Sequence, residues 1–152
     1  MKFQLDIKPG EAIPLAPRVL GIIGVTPFAI GALAAAFTPE VKPETGAALL
    51  AYGAVILSFL GGIRWAFAVL EDGEAGWSAY SMSVLPILVA WLGAAAGPGP
   101  VGILILAIAL GLWYFAERAA PPAIVLPGWY MRQRGMLTAI AVLALIIAAI
   151  AW

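Results

Sequence analysis

Long apolar runs dominate the chain, broken by short segments that gather proline, glycine and charge. At 1.5 Å rise per residue, crossing a hydrocarbon core of about 30 Å takes roughly 17–25 residues of helix. Five stretches meet or approach that length, at about 18–37, 46–70, 79–97, 101–116 and 134–152. None alternates apolar and polar residues as a membrane strand must, and backbone groups in lipid have to bond one another, so spanning helices are predicted. The predicted fold class is all-α: a polytopic bundle of about five transmembrane helices in one domain over 18–152, preceded by an interfacial segment, 1–17. An odd helix count without an internal repeat argues against two inverted halves.

The connections carry their own signals. Ala96-Gly97-Pro98-Gly99-Pro100 leaves room only for a tight hairpin between the third and fourth runs. The fourth run is the shortest, which predicts little tilt or local thinning of the bilayer. In 1–17, Phe3, Leu5 and Ile7 alternate with polar residues before Pro9, Pro14 and Pro17, the pattern of an extended stretch along the interface. The segment Ala119 to Gln133 is punctuated by proline and glycine, and it sets Trp129 and Tyr130 beside Arg132 and Arg134, an interfacial anchor composition.

Composition agrees with a lipid environment. Of 152 residues, 64% are hydrophobic and 11% charged, whereas soluble domains are about 45–50% apolar and about 25% charged. Eight basic residues balance eight acidic ones, so no basic field suits nucleic acid as a partner. Their placement is lopsided: Lys2, Lys8, Arg18, Arg118, Arg132 and Arg134 flank one side, with Arg64 near it, and Lys42 stands alone on the other. The positive-inside rule then puts the N-terminus inside and the C-terminus outside. Ala32, Ala34 and Ala36 mimic a cleavage site, but the preceding apolar run is too long and starts too late, after Asp6 and Glu11, for a signal peptide.

Histidine and cysteine are absent. Disulfides, thiolate nucleophiles, the usual zinc sites and histidine-ligated haem are thereby excluded, and neither a cofactor nor a metal is expected. Arg64 is the one charge inside a predicted span, which makes it a functional candidate. Its plain alternatives are snorkelling to the headgroups and a salt bridge with Glu71, seven residues on. Thr26, Ser83, Tyr114, Glu117 and Thr138 fall at a similar depth in their helices. If the helices turn these groups inward, a polar pocket opens toward the cytoplasm around Arg64, suited to an anionic lipid headgroup, a quinone carbonyl or a small carboxylate. Pro27 and Pro86 each free a backbone carbonyl one turn earlier. Ala47, Ala51, Ala54, Ser58, Gly61 and Gly62 form a small-residue stripe, expected to be a packing seam with a neighbouring helix or another subunit.

The strings PRVLGIIGVTPF, YGAVILSFLGGIRWAFAV, SVLPILVAWLG and LPGWYMRQRGMLTAIAVL together resemble the domain of unknown function 3429 family, a bacterial family that includes the mitochondrial transmembrane protein 69. The resemblance covers most of the chain from Pro17 onward. It rests chiefly on the glycine pair before Arg64-Trp65 and on Trp129-Tyr130 with Arg132. It implies a multi-helix protein of bacterial inner membranes, or alternatively of mitochondria, and brings no established activity, cofactor or catalytic residue.

Small size, few polar residues and no catalytic set favour a non-enzymatic accessory, structural or assembly subunit, with the lipid bilayer and other membrane subunits or a second copy as partners. The alternative is a lipid-, quinone- or small-anion-binding protein or carrier using the Arg64 pocket. A membrane enzyme would have to draw its acid or base from Glu71, Asp72 or Glu117.

Overall fold

The computed structural model describes residues 12–71 and 76–152. Five helices carry the fold: α1 Leu15–Phe37, α2 Lys42–Leu70, α3 Trp77–Ala95, α4 Pro100–Ala119 and α5 Tyr130–Ile150, with a 3-10 turn at Pro39–Val41. All five are long and apolar enough to cross a membrane. Among the described residues there is no strand.

Helix bounds depart from the hydropathy windows in an instructive way. α1, α2 and α5 start three or four residues earlier than the apolar runs, α3 is displaced two residues toward the N-terminus, and α4 has 20 residues rather than the short span expected. The fourth crossing is therefore of ordinary length, with no need for local thinning. Hydropathy locates the hydrocarbon core, whereas helices run on through the interface. Prolines that break a helix interior are tolerated in its first turn, where the missing N–H has no partner to lose. Accordingly Pro100 opens α4, Pro43 follows the first residue of α2, and Pro14 and Pro17 bracket the start of α1. Leu15 to Pro17 is helical rather than extended, and the interfacial stretch predicted over residues 1–11 lies outside the described residues. The tight hairpin forms around Gly97, whose φ of 84° is left-handed and suits glycine.

Consecutive helices run antiparallel. Tyr52 Oη of α2 donates to the Gly24 carbonyl of α1 at 2.7 Å, Trp65 packs edge-on against Tyr80 of α3 at 5.0 Å, and Glu117 of α4 pairs with Arg134 of α5. α1, α2, α4 and α5 form a closed four-helix ring, because α5 returns to α1 and α2 reaches α4; α3 lies outside in the groove of α2 and α4. With no hydrophobic drive between helices in lipid, close contact must come from shape. Gly61 fits against the Ser83 carbonyl of α3, Gly53 against Leu106 of α4, and Gly102 against the carbonyls of Gly93 and Gly97. Phe28, Leu57, Ile103, Leu106 and Leu145 fill the core, while large aliphatic and aromatic side chains cover the outside of every helix. That inverted surface is what lipid solvates.

Two polar ties close the ends. Lys42 Nζ donates to the carbonyls of Ala151 at 2.6 Å and Trp152 at 3.2 Å, satisfying groups beyond the last turn of α5, and the Trp152 ring lies on Gly46. At the opposite, arginine-bearing end, Glu71 Oε1 accepts from the Ala123 backbone N–H at 2.8 Å, joining the end of α2 to the α4–α5 connection.

Candidate functional site

Tyr130, Arg134, Thr138 and Ala141 succeed one another at helical spacing, so α5 presents them on one face. Arg134 Nη2 meets the Glu117 carboxylate at 2.7 Å, and its Nη1 donates to Thr138 Oγ1 at 3.2 Å. Glu117 is only 6% exposed and Thr138 7%, so this is an ion pair inside the bundle. Gln133, 7% exposed, donates through Nε2 to the Pro17 carbonyl and ties α5 to the start of α1.

Register places Arg64 in the same layer. Leu50 lies near Gly102 and Gly53 near Leu106, so the parallel helices α2 and α4 match at an offset that sets Arg64 level with Ala116 and Glu117, about one turn from Trp113. Arg64 is 6% exposed, on the buried stripe of α2 with Gly61 and Ala68. Its guanidinium therefore does not snorkel along the lipid-facing surface. The proposed bridge to Glu71 does not form either, since that carboxylate serves the Ala123 N–H and no carboxylate pairs with Arg64 among the described residues.

The layer holds more polar capacity than its own members satisfy. Arg64 Nη1, Trp113 Nε1, Gln133 Oε1 and Arg134 Nε are buried without a hydrogen-bond partner, and the buried Tyr130 hydroxyl interacts with the Arg134 guanidinium. Buried polar groups are nearly always paired, with protein, water or ligand. One carboxylate pairs with Arg134 and none with Arg64 among the described residues, and of the unpartnered atoms all but the Gln133 oxygen can donate. The electrostatic demand of the layer is thus for an acceptor, preferably one bearing negative charge.

Beside it lies a cavity of about 390 Å³ between α1, α2 and α5. Leu20, Phe28, Phe59, Leu60 and Leu137 give it an apolar body, and Tyr130, Gln133, Arg134 and Thr138 form its polar side. Gly24 lines it too, and a Cβ there would meet nothing within 4 Å, so the glycine faces free volume.

The residues singled out in sequence disperse among several places. Glu117 and Thr138 meet through Arg134, and Arg64 is level with them. Tyr114 faces a different cavity, with Arg118 donating to its hydroxyl at 3.3 Å. Ser83 is buried in the α2–α3 seam and donates to the Tyr80 carbonyl at 2.6 Å. Thr26 is exposed on α1, and its hydroxyl donates to the Ile22 carbonyl at 2.8 Å, the usual way a membrane helix satisfies threonine. These two therefore stand apart from the polar layer. The small-residue stripe also divides: Gly61 is buried against α3 and Ala54 and Ser58 are half-buried, but Ala47, Ala51 and Gly62 face outward. Among the described residues no cluster of histidine, cysteine, aspartate or glutamate could hold a metal, and Asp72 and Glu74 lie outside them.

Arg134, Tyr130, Gln133 and Trp113 are the members that sequence reasoning missed. The first three sit in a flank that reads as an anchor, and the signal available was the spacing of Tyr130, Arg134 and Thr138 on one helical face.

Fold and site together define a five-helix, multi-pass membrane protein with a charged layer buried between its helices. The chain belongs to the family described as Protein of unknown function (DUF3429), whose model matches residues 13–150. It is similar to Transmembrane protein 69 of Xenopus tropicalis, 36% identical over 146 residues, which is 94% of this chain and 57% of the frog protein. Transmembrane protein 69 of Mus musculus is 34% identical over 80 residues, covering 51% of this chain and 33% of the mouse protein. The matches thus span little more than half the length of the frog protein and a third of the mouse protein. No solved structure matches it.

Proposed function

We propose that this protein is a non-catalytic binding protein for an amphipathic, membrane-dissolved molecule whose head is an acidic or carbonyl acceptor. The observation that carries the reading is the cavity between α1, α2 and α5, apolar along its body and ending on buried donors that lack partners. An acyl or isoprenoid tail would occupy the body, and the head would accept from Arg134 and Tyr130, with Arg64 adding long-range positive charge from the neighbouring helix. The basic residues at the Arg18, Arg118 and Arg132 end favour that end facing the cytoplasm of a bacterium, or the matrix of a mitochondrion.

Delipidated protein in detergent, melted with a long-chain fatty acid or a short-chain quinone, tests this. Wild-type protein should be stabilised by one of them, and Arg64→Met should weaken an acidic ligand about tenfold while sparing a quinone. Stabilisation by neither probe would contradict the proposal.

The second reading is an accessory or assembly subunit of a larger complex. Its support is the outward part of the α2 stripe: Ala47, Ala51 and Gly62 are exposed, and among the described residues no other helix covers them. Mild extraction followed by identification of co-migrating membrane proteins checks it, and a lone monodisperse monomer would count against it.

A further inference from the structure

α1 is packed unevenly along its length. Its buried residues, Val25, Phe28, Ala32 and Ala35, all lie toward the Lys42 end, and no residue from Leu15 to Gly24 is buried. On the Lys42 side α1 is tied to α2: Tyr52 Oη donates to the Gly24 carbonyl at 2.7 Å, the Tyr52 and Phe28 rings meet edge-on at 5.1 Å, and a Cβ on Gly31 would come within 2.5 Å of Leu49. Past Gly24 toward the arginine end, the ligand cavity lies between the two helices. There α1 leans on α5 instead, with Gly21 against Leu137 and the Pro17 carbonyl accepting from Gln133. Of the described cavity lining only Leu20 of α1 and Phe59 of α2 are exposed, at 66% and 62%. We propose that an amphiphile enters and leaves sideways from the bilayer, between Leu20 and Phe59, when the first part of α1, Leu15 to Gly24, swings about Pro27. This route rests on the cavity's being the ligand site.

Two features weaken α1 where its ties to α2 stop. Pro27 has no N–H to give the Ile23 carbonyl, so one rung of the helix is missing. One residue earlier, the Thr26 hydroxyl donates to the Ile22 carbonyl at 2.8 Å, a contact that bends helices. Sharp bends form at such places. With no buried residue to hold it, the segment before Val25 opens at low cost, and the Gln133 amide on the Pro17 carbonyl serves as its latch. The chemistry of the edge matches the route. Leu20 and Phe59 are apolar, and about 16 Å of helix separates Phe59 from the end of α2 at Leu70, so an acyl or isoprenoid tail reaches the opening without leaving hydrocarbon. On the headgroup side the cavity is bordered by Trp129 and the bond between Gln133 and Pro17.

The full chain is loaded with palmitic acid in phosphatidylcholine nanodiscs, and replacement by deuterated palmitic acid is followed by native mass spectrometry. A short-chain quinone and its deuterated form are run in parallel. Pro27→Ala restores the missing rung and lines no part of the cavity, so it should slow exchange about tenfold, the rate equivalent of one hydrogen bond, with equilibrium occupancy unchanged. Because the chain has no cysteine of its own, Leu20→Cys/Phe59→Cys is open to bridging by a reducible bifunctional thiol reagent. The bridged protein should hold preloaded ligand longer than Pro27→Ala does and recover its exchange when the bridge is cut. Wild-type exchange in a bridged protein that still holds ligand would overturn the route while leaving the site in place. An unchanged rate in folded Pro27→Ala would overturn the hinge, and a pair that no length of reagent spans would overturn the opening itself. Retention of neither amphiphile by wild-type protein would remove the site, and the route with it.

Discussion

The two ends of the bundle are built on opposite terms. At the Lys42 end Ala35, Ile103, Leu145 and Ala148 are buried in apolar packing, and Lys42 spends its ammonium on the Ala151 and Trp152 carbonyls just past α5. At the arginine end Arg134 pairs with Glu117 while Arg64 has no carboxylate among the described residues, and unpartnered buried side-chain atoms there belong to Arg64, Trp113, Gln133 and Arg134. One end closes the fold; the other carries an unmet demand for an acceptor. A stability optimum would not leave donors idle in a low-dielectric layer, and the proposed binding function rests on that asymmetry.

Breaking the charged end should have the largest effect. Glu117→Gln removes the carboxylate that pairs with Arg134 and leaves that guanidinium uncompensated, at a cost of about 3–5 kcal/mol. A falling unfolding midpoint in a fixed detergent measures it. Next comes the α2–α3 seam: Gly61→Leu drives a side chain into the Ser83 carbonyl and should cost about 1–3 kcal/mol, seen as loss of the compact monomer. Lys42→Met, at the closed end, should cost about 1 kcal/mol through the lost carbonyl bonds. Because it lies far from the polar layer, it should leave binding of either probe ligand unchanged, which sharpens the division between the two ends.

How far the sequence reveals this division depends on which physical signal each part carries. The spans are legible because hydropathy reports directly on lipid, and the buried Arg64 stands out as a charge within one of them. Their bounds are less legible, since Pro17, Pro43 and Pro100 read as breakers until their first-turn positions are known. The site is only half legible. Thr26 and Ser83 share a depth with Arg64, but depth does not fix the direction in which a side chain points, and both satisfy themselves on a carbonyl of their own helix. Arg134 and Gln133 went unread for the converse reason: at a helix start beside Trp129 they look like headgroup contacts, and only the return of α5 against α1 and α4 buries them.

The central claim is that the cavity between α1, α2 and α5 is a ligand site rather than a packing defect, and Gly24→Leu tests it most directly. The added side chain enters free volume, and leucine is favoured over glycine in a helix, so stability should hold or rise by up to about 1 kcal/mol. Native mass spectrometry of wild-type and variant protein taken gently from the same membranes should show one tightly held amphiphile on the wild-type chain and at least tenfold less on the variant. A folded Gly24→Leu protein that keeps the same bound molecule at the same occupancy would contradict the account.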